Sequence, residues 1–354
     1  MTKKQKKSPQ AIDARMTGTT LPGKAFIERN GTWLGAGVAA AALAGTALVN
    51  RASARRAEES TPPAGKFVEI DGVRLHYVDR GAGTPVVLLH GNGVLLQDYE
   101  VSGVLGLAAE HHRVIAFDRP GFGYSDRPRS TVWTPIAQAR LIARALAEIG
   151  VEPAIVVGHS WGTLVALAMA LEHREAVTGL VLVSGYYYGT VRADVLPASL
   201  PAIPVLGDVL ANTVSPLAGL LVGPPAVKAS FAPAPISDKF ARFPVAMTLR
   251  PSQVRATAGD TAMMIPGAIG LSRRYGELDL PIVVLAGEGD LIVHMDEHAE
   301  RFVRDVASAE LRVVPEQGHL LHYAVPDQVV AAIDDVATRE RTSSFRAFEP
   351  KSST

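Results

Sequence analysis

Short, mostly apolar runs recur along the chain, and helical patterns separate them. Pro85–Leu89, Arg113–Phe117, Ala154–Val157, Gly179–Val183, Ile282–Ala286 and Leu311–Val314 each read as a strand buried on both faces. The clearest intervening helix is Thr134–Ile149. Thr134 is a good N-cap, Pro135 suits the first helical position and Gly150 can close the end. Leu141, Ile142, Ala145, Leu146 and Ile149 line one face at i, i+3, i+4 spacing. Strands alternating with helices predict a mainly parallel sheet covered on both faces. Ahead of it, Phe67–Ile70 and Val73–Val78 flank Asp71-Gly72, a hairpin signal.

From Tyr186 to Leu278 the alternation stops, prolines become frequent (Pro197, Pro201, Pro216, Pro233 and Pro251 among them), and no buried strand is evident. The expected organisation is a core over 67–185 and 279–341, interrupted by a mostly helical cap over 186–278. Before the core come a basic leader (1–32), an uncharged apolar stretch (33–49) and a linker (50–66). A polar tail (342–354) is expected to be disordered.

Residues 33–49, WLGAGVAAAALAGTALV, are at the short end of what spans a bilayer at about 1.5 Å rise per residue. A single membrane anchor is the leading reading. The alternatives are a cleaved signal peptide, with Ala52-Ser53-Ala54 as a small-residue site, and a soluble Ala-rich helix. The more basic N-terminal flank would stay in the cytoplasm, placing the rest of the chain outside. Arg51, Arg55 and Arg56 on the other flank weaken that orientation.

Lys+Arg and Asp+Glu both number 35, so charge gives no reason to expect a nucleic-acid partner. The chain contains no cysteine, which excludes disulfides, thiolate catalysis and cysteine-ligated metal centres. Oligomeric state is not readable.

Chemistry concentrates at Gly158-His159-Ser160-Trp161-Gly162, between the strand Ala154–Val157 and a helical run from Thr163. A serine on a sharp, strained strand-to-helix turn needs small neighbours and presents its hydroxyl as a nucleophile. That hydroxyl requires a base. His319, in a loop after the last predicted strand, is the best candidate and His322 its near competitor. Asp290, after the strand Ile282–Ala286, is the candidate acid that orients the base, with Glu288 as alternative. Backbone N–H groups of Trp161 and Asn92, the latter in His90-Gly91-Asn92-Gly93, are the candidate oxyanion donors. His90, Tyr186 and Tyr187 are candidate substrate contacts, with plain packing equally open for the tyrosines.

These motifs, with DRPGFGYSDRP at Asp118–Pro128, GEGD at Gly287–Asp290 and GHLLHYAVP at Gly318–Pro326, resemble the α/β-hydrolase superfamily over roughly 67–338. The branch includes esterases, haloalkane dehalogenases, epoxide hydrolases and cofactor-free haloperoxidases. The resemblance implies an eight-stranded sheet, a helical cap, and His319 rather than His322 as the base. Asn92 and Trp161 resemble the residues with which dehalogenases hold a leaving halide. Those enzymes use an aspartate nucleophile, however. Ser160 attacking a halide or epoxide would form an ether that water cannot release.

The expected activity is therefore hydrolysis of small to medium apolar esters, with no metal or organic cofactor. Perhydrolysis, cleavage of lactones, amides or carbon–carbon bonds, and a catalytically silent binding protein are the alternatives. His294-Met295-Asp296-Glu297-His298 matches a metalloprotease spelling, but no third ligand is evident and exposed helical histidines are expected. His76, His111, His112 and His173 are expected on surfaces or strand edges.

Overall fold

The computed structural model describes residues 22–151 and 153–348; the remaining leader and tail positions lie outside the described residues. Two compact units divide the chain after Gly45. The first contains helix α1 (Pro22–Ser60) up to that glycine. Its Trp33, Leu34, Val38 and Leu43 are exposed. The segment from Trp33 is the one described single helix long and apolar enough to cross a membrane, a character it shares with signal sequences.

The second unit begins with the remaining turns of α1, and here the linker expectation is corrected. Residues 50–60 are helical and docked. Asn50 donates through Nδ2 to the carbonyls of Asn212 (2.9 Å) and Thr213 (2.8 Å). Ala57 is buried with Leu95, Phe243 and Met247. Glu58 pairs with Arg250 at 2.8 Å, and the Tyr124 hydroxyl donates to the carbonyls of Glu58 and Thr61. The polar composition of 51–60 serves these contacts and a solvated face. At the other end of the chain, α12 (Pro326–Phe348) extends helix into the segment expected to be disordered, as far as Phe348.

Eight strands form one sheet: β1 (Lys66–Ile70), β2 (Val73–Arg80), β3 (Thr84–Leu89), β4 (His112–Phe117), β5 (Ala154–His159), β6 (Val177–Val183), β7 (Ile282–Gly287) and β8 (Ala309–Val314). Their order is β1-β2-β4-β3-β5-β6-β7-β8. The first two pairings are antiparallel and the rest parallel. Asp71 and Gly72 both have positive φ (52° and 75°), as a tight hairpin turn with the strands' own twist requires.

Period-two alternation divides the core. Val87, Leu89 and Val156 pack on one side with α4 (Pro135–Glu148) and α5 (Gly162–Glu172). Val86, Leu88 and Val157 pack on the other with α3 (Val104–Ala108) and α12. Every residue of α5 from Gly162 to Ala170 is buried, so it is apolar all round. Short α2 (Gln97–Ser102) precedes α3.

Between β6 and β7 the chain is helical: α6 (Val195–Ser199), α7 (Leu206–Asn212), α8 (Val214–Phe231), α9 (Val245–Thr248) and α10 (Pro251–Ser272). After β7, α11 (Ala299–Asp305) completes the helices.

Candidate functional site

The turn after β5 places Ser160 at φ 52°, in the left-handed region that costs a residue with a Cβ about 1–2 kcal/mol. The residues two positions to either side must be glycine. A Cβ on Gly158 would lie 2.8 Å from Gly162 and Thr163 backbone atoms, and one on Gly162 would lie 2.2 Å from the Leu89 carbonyl oxygen. The strain is held by the Ser160 N–H bond to Val183 O (2.9 Å) and by the rigid β5–α5 packing. The result is a half-buried hydroxyl at the carboxyl end of the central strands.

His319 and Asp290 converge on it. Ser160 Oγ lies 2.8 Å from His319 Nε2, and His319 Nδ1 lies 2.8 Å from Asp290 Oδ2. The other oxygen of Asp290 accepts from the N–H groups of Ile292 (2.8 Å) and Val293 (2.9 Å). Burial works to raise the Asp290 carboxyl, but His319 and these hydrogen bonds outweigh it and hold it below the usual carboxylate range. The two loops are joined by the Gly289 N–H bond to Gln317 O, and Leu320 N–H ties the His319 loop to Ser230 O on α8. Glu288 is exposed and makes no contact with His319.

Asn92 and Trp161 lie on the two turns that flank Ser160, and among the described residues no protein acceptor takes either backbone N–H. Their side chains are otherwise occupied. Asn92 Nδ2 donates to Thr257 O (3.2 Å) and Thr261 Oγ1 (2.9 Å) on α10, while Trp161 Nε1 donates to Asp260 O (2.9 Å). Neither is free to hold a halide.

The candidate substrate contacts are corrected. His90 is fully buried, with Nδ1–H donating to Gly91 O and Nε2 accepting from the Arg119 N–H. Both ring nitrogens are spent on backbone, so it supports its loop. Tyr186 and Tyr187 are also buried. Tyr186 bonds Thr190, and Tyr187 stacks on Phe302 at 4.6 Å. His298 is likewise buried, not exposed; its Nδ1 accepts from the N–H groups of Tyr187 and Tyr188. The segment 294–298 precedes α11, so His294 and His298 share no helix face.

Three buried networks escaped the sequence reading. Asp118 takes His76 Nδ1 at 2.7 Å, so His76 is interior and not at a strand edge. Asp98 takes His322 Nε2 (2.9 Å) and the Tyr323 hydroxyl (2.9 Å), beside His159, whose Nε2 bonds the His319 carbonyl at 3.1 Å. Asp98, His159 and His322 are the described residues that could hold a metal ion, with ligand atoms within 4.8 Å of one another. Their hydrogen bonds instead tie β5 and α2 to the loop of His319. Third, Asp260 on α10 receives Arg119 (2.6 Å), Arg127 (2.9 Å) and Gln138 (3.0 Å), while Arg119 also donates to the carbonyls of His90 and Gly91. Arg119 thus fixes the loop of Asn92. None of these pairs is near in sequence; only the proximity of His322 to His319 offered a local signal.

Asp260→Ala strands the buried Arg119 charge, an uncompensated loss worth about 3–5 kcal/mol. A lower urea midpoint at unchanged slope is the expected readout. A second prediction concerns acid. Burial lowers His90 and His298 to about 4, against 6.5 for a free histidine, with Arg119 and Arg192 adding to the effect. Unfolding lets both rings take up protons between those values, so stability should fall as pH drops from about 6.5 to about 4. Urea midpoints across this range should show the slope, and His298→Asn should reduce it.

The comparisons agree with this architecture. The family model described as "alpha/beta hydrolase fold" matches residues 84–324, more than half of the chain. A haloalkane dehalogenase of Mycobacterium marinum is 29% identical over 235 residues, covering 62% of this chain and 73% of the relative. A 2-hydroxymuconate semialdehyde hydrolase of Pseudomonas putida is 34% identical over 129 residues, covering 36% and 45%. The chain spans less than half the length of several curated relatives it matches. A thermophilic esterase from Thermogutta terrifontis shares the fold with TM-score 0.59 at 21% identity, covering 78% of this chain and 99% of that one. With its eight-stranded sheet, its elbow at Ser160 and this match, the chain belongs to the α/β-hydrolase family.

Proposed function

We propose that the chain is a carboxylesterase working through a Ser160–His319–Asp290 acyl-enzyme mechanism. The observation that carries this is the continuous hydrogen-bonded line from Ser160 Oγ through His319 to Asp290, flanked by two unengaged N–H groups. His319 takes the Ser160 proton as Oγ attacks the ester carbonyl. The N–H groups of Asn92 and Trp161 receive the oxyanion, and His319 returns the proton to the leaving alcohol. Water then attacks the acyl carbonyl, with His319 as base, and releases the acid.

Dehalogenase and epoxide-hydrolase chemistry fits this site poorly. An alkylated Ser160 is an ether with no carbonyl for water to attack. The side chains that would hold a halide are bonded to α10. The match to 2-hydroxymuconate semialdehyde hydrolase keeps carbon–carbon bond hydrolysis by the same triad as the second reading.

A chain-length panel of p-nitrophenyl esters, with fluorophosphonate labelling followed by peptide mass mapping, tests the proposal. Ester turnover and a label on Ser160 are expected; a label elsewhere or none would overturn the nucleophile. Residues 33–49 would anchor the enzyme in a membrane, with the catalytic unit outside the cytoplasm. Release by carbonate wash would refute the anchor.

A further inference from the structure

From Val195 to Val227 the cap carries a single charge, Asp208, and that is paired with Arg129 and Arg255. Much of that apolar sequence is exposed. On α8 only Pro216 and Phe231 are buried, while Leu220, Leu221 and Val222 are 59%, 80% and 62% exposed. Val205, Leu206, Val209 and Leu217 are likewise exposed, while Leu196 and Ile203 line a cleft with Trp133 and Met263. Large apolar side chains exposed in such number mark an interface.

Where α1 docks identifies the occupant. The uncharged run 33–49 ends one residue before Asn50, and Asn50 is fastened to the α7–α8 junction through Asn212 and Thr213. A bilayer that takes up the run therefore has its surface at that junction, where the exposed leucines and valines begin. Arg51, Arg55 and Arg56, which follow at once, are exposed and suited to anionic headgroups.

We propose that the exposed face of α7–α8 is a second membrane contact, lying in the headgroup–acyl boundary. The cap then faces the phase in which apolar esters dissolve, so the substrates would be membrane-partitioned esters. This last step rests on the esterase reading; the docking itself rests on the anchor reading and on the exposed face.

The absence of native cysteine permits a clean test. The full chain bearing Leu221→Cys, labelled with an environment-sensitive fluorophore, is reconstituted into phosphatidylcholine–phosphatidylglycerol vesicles containing brominated acyl chains. Quenching is expected at position 221 and not at Glu110→Cys, an exposed control just before β4. Absence of quenching at 221, equal quenching at both positions, or concentration-dependent burial of the label between two copies in detergent would overturn the proposal.

In a paired assay, Leu220→Glu with Leu221→Glu should lower turnover of a vesicle-borne ester by about tenfold or more, from the lost burial of two leucines. Turnover of a soluble p-nitrophenyl ester should be unchanged. If no ester is turned over, the esterase reading fails while the quenching result still decides the docking.

Discussion

Ser160→Ala is expected to lower ester turnover by about 10⁶-fold, the loss seen when the nucleophile of a serine triad is removed. The protein should remain folded. Alanine accepts the left-handed turn about as well as serine, and the backbone bond from residue 160 to Val183 O does not involve the side chain. The hydroxyl's interior contact is with His319 alone. Thermal unfolding within a few degrees of wild type, together with the loss of turnover, separates chemistry from folding. Activity within tenfold of wild type would sink the assignment, because no other described serine lies within hydrogen-bonding distance of His319.

Asp290→Asn should lower kcat by about 10⁴-fold with KM nearly unchanged. The reason lies in the second oxygen of Asp290. It accepts the N–H groups of Ile292 and Val293, and an asparagine keeps those bonds only by placing its carbonyl oxygen there. Its NH₂ group then faces His319 Nδ1, which must become an acceptor. The ring proton moves to Nε2, and that nitrogen can no longer take the Ser160 proton. A loss below tenfold would show that Asp290 does not set the tautomer of His319. Comparison of kcat across pH for both proteins, by initial rates on one p-nitrophenyl ester, is sufficient.

Much of this was legible in the sequence because it is local. Strands buried on both faces must be apolar throughout, so the runs beginning with Pro85–Leu89 marked the sheet. The hairpin at Asp71-Gly72 and the elbow at Ser160 follow from backbone conformations few residues tolerate. Asp290 and His319 could be located because each follows a recognisable strand, at the end of the sheet where loops converge.

Other features had no local signature. Residues 51–60 look like a linker by composition, yet become helix because Ala57 and Glu58 find partners in Phe243, Met247 and Arg250, far along the chain. His90 stood beside Asn92, and Tyr186 and Tyr187 at the edge of the expected cap, which made them candidate substrate contacts. Burial decided otherwise, turning the His90 nitrogens toward backbone and the tyrosine rings into the core.

The sequence by itself determined the doubly covered parallel sheet, the glycine-flanked turn at Ser160, and the identities of the groups that could serve it. Each is set by periodicity or by steric limits within a few residues. Tertiary structure alone decided which donors are free and which are spent. Asn92 and Trp161 offer backbone N–H groups rather than side chains because α10 claims their amide and indole, and only folding brings α10 across from some hundred residues or more away. It also decided that most of α8 stays exposed, Leu220, Leu221 and Val222 included.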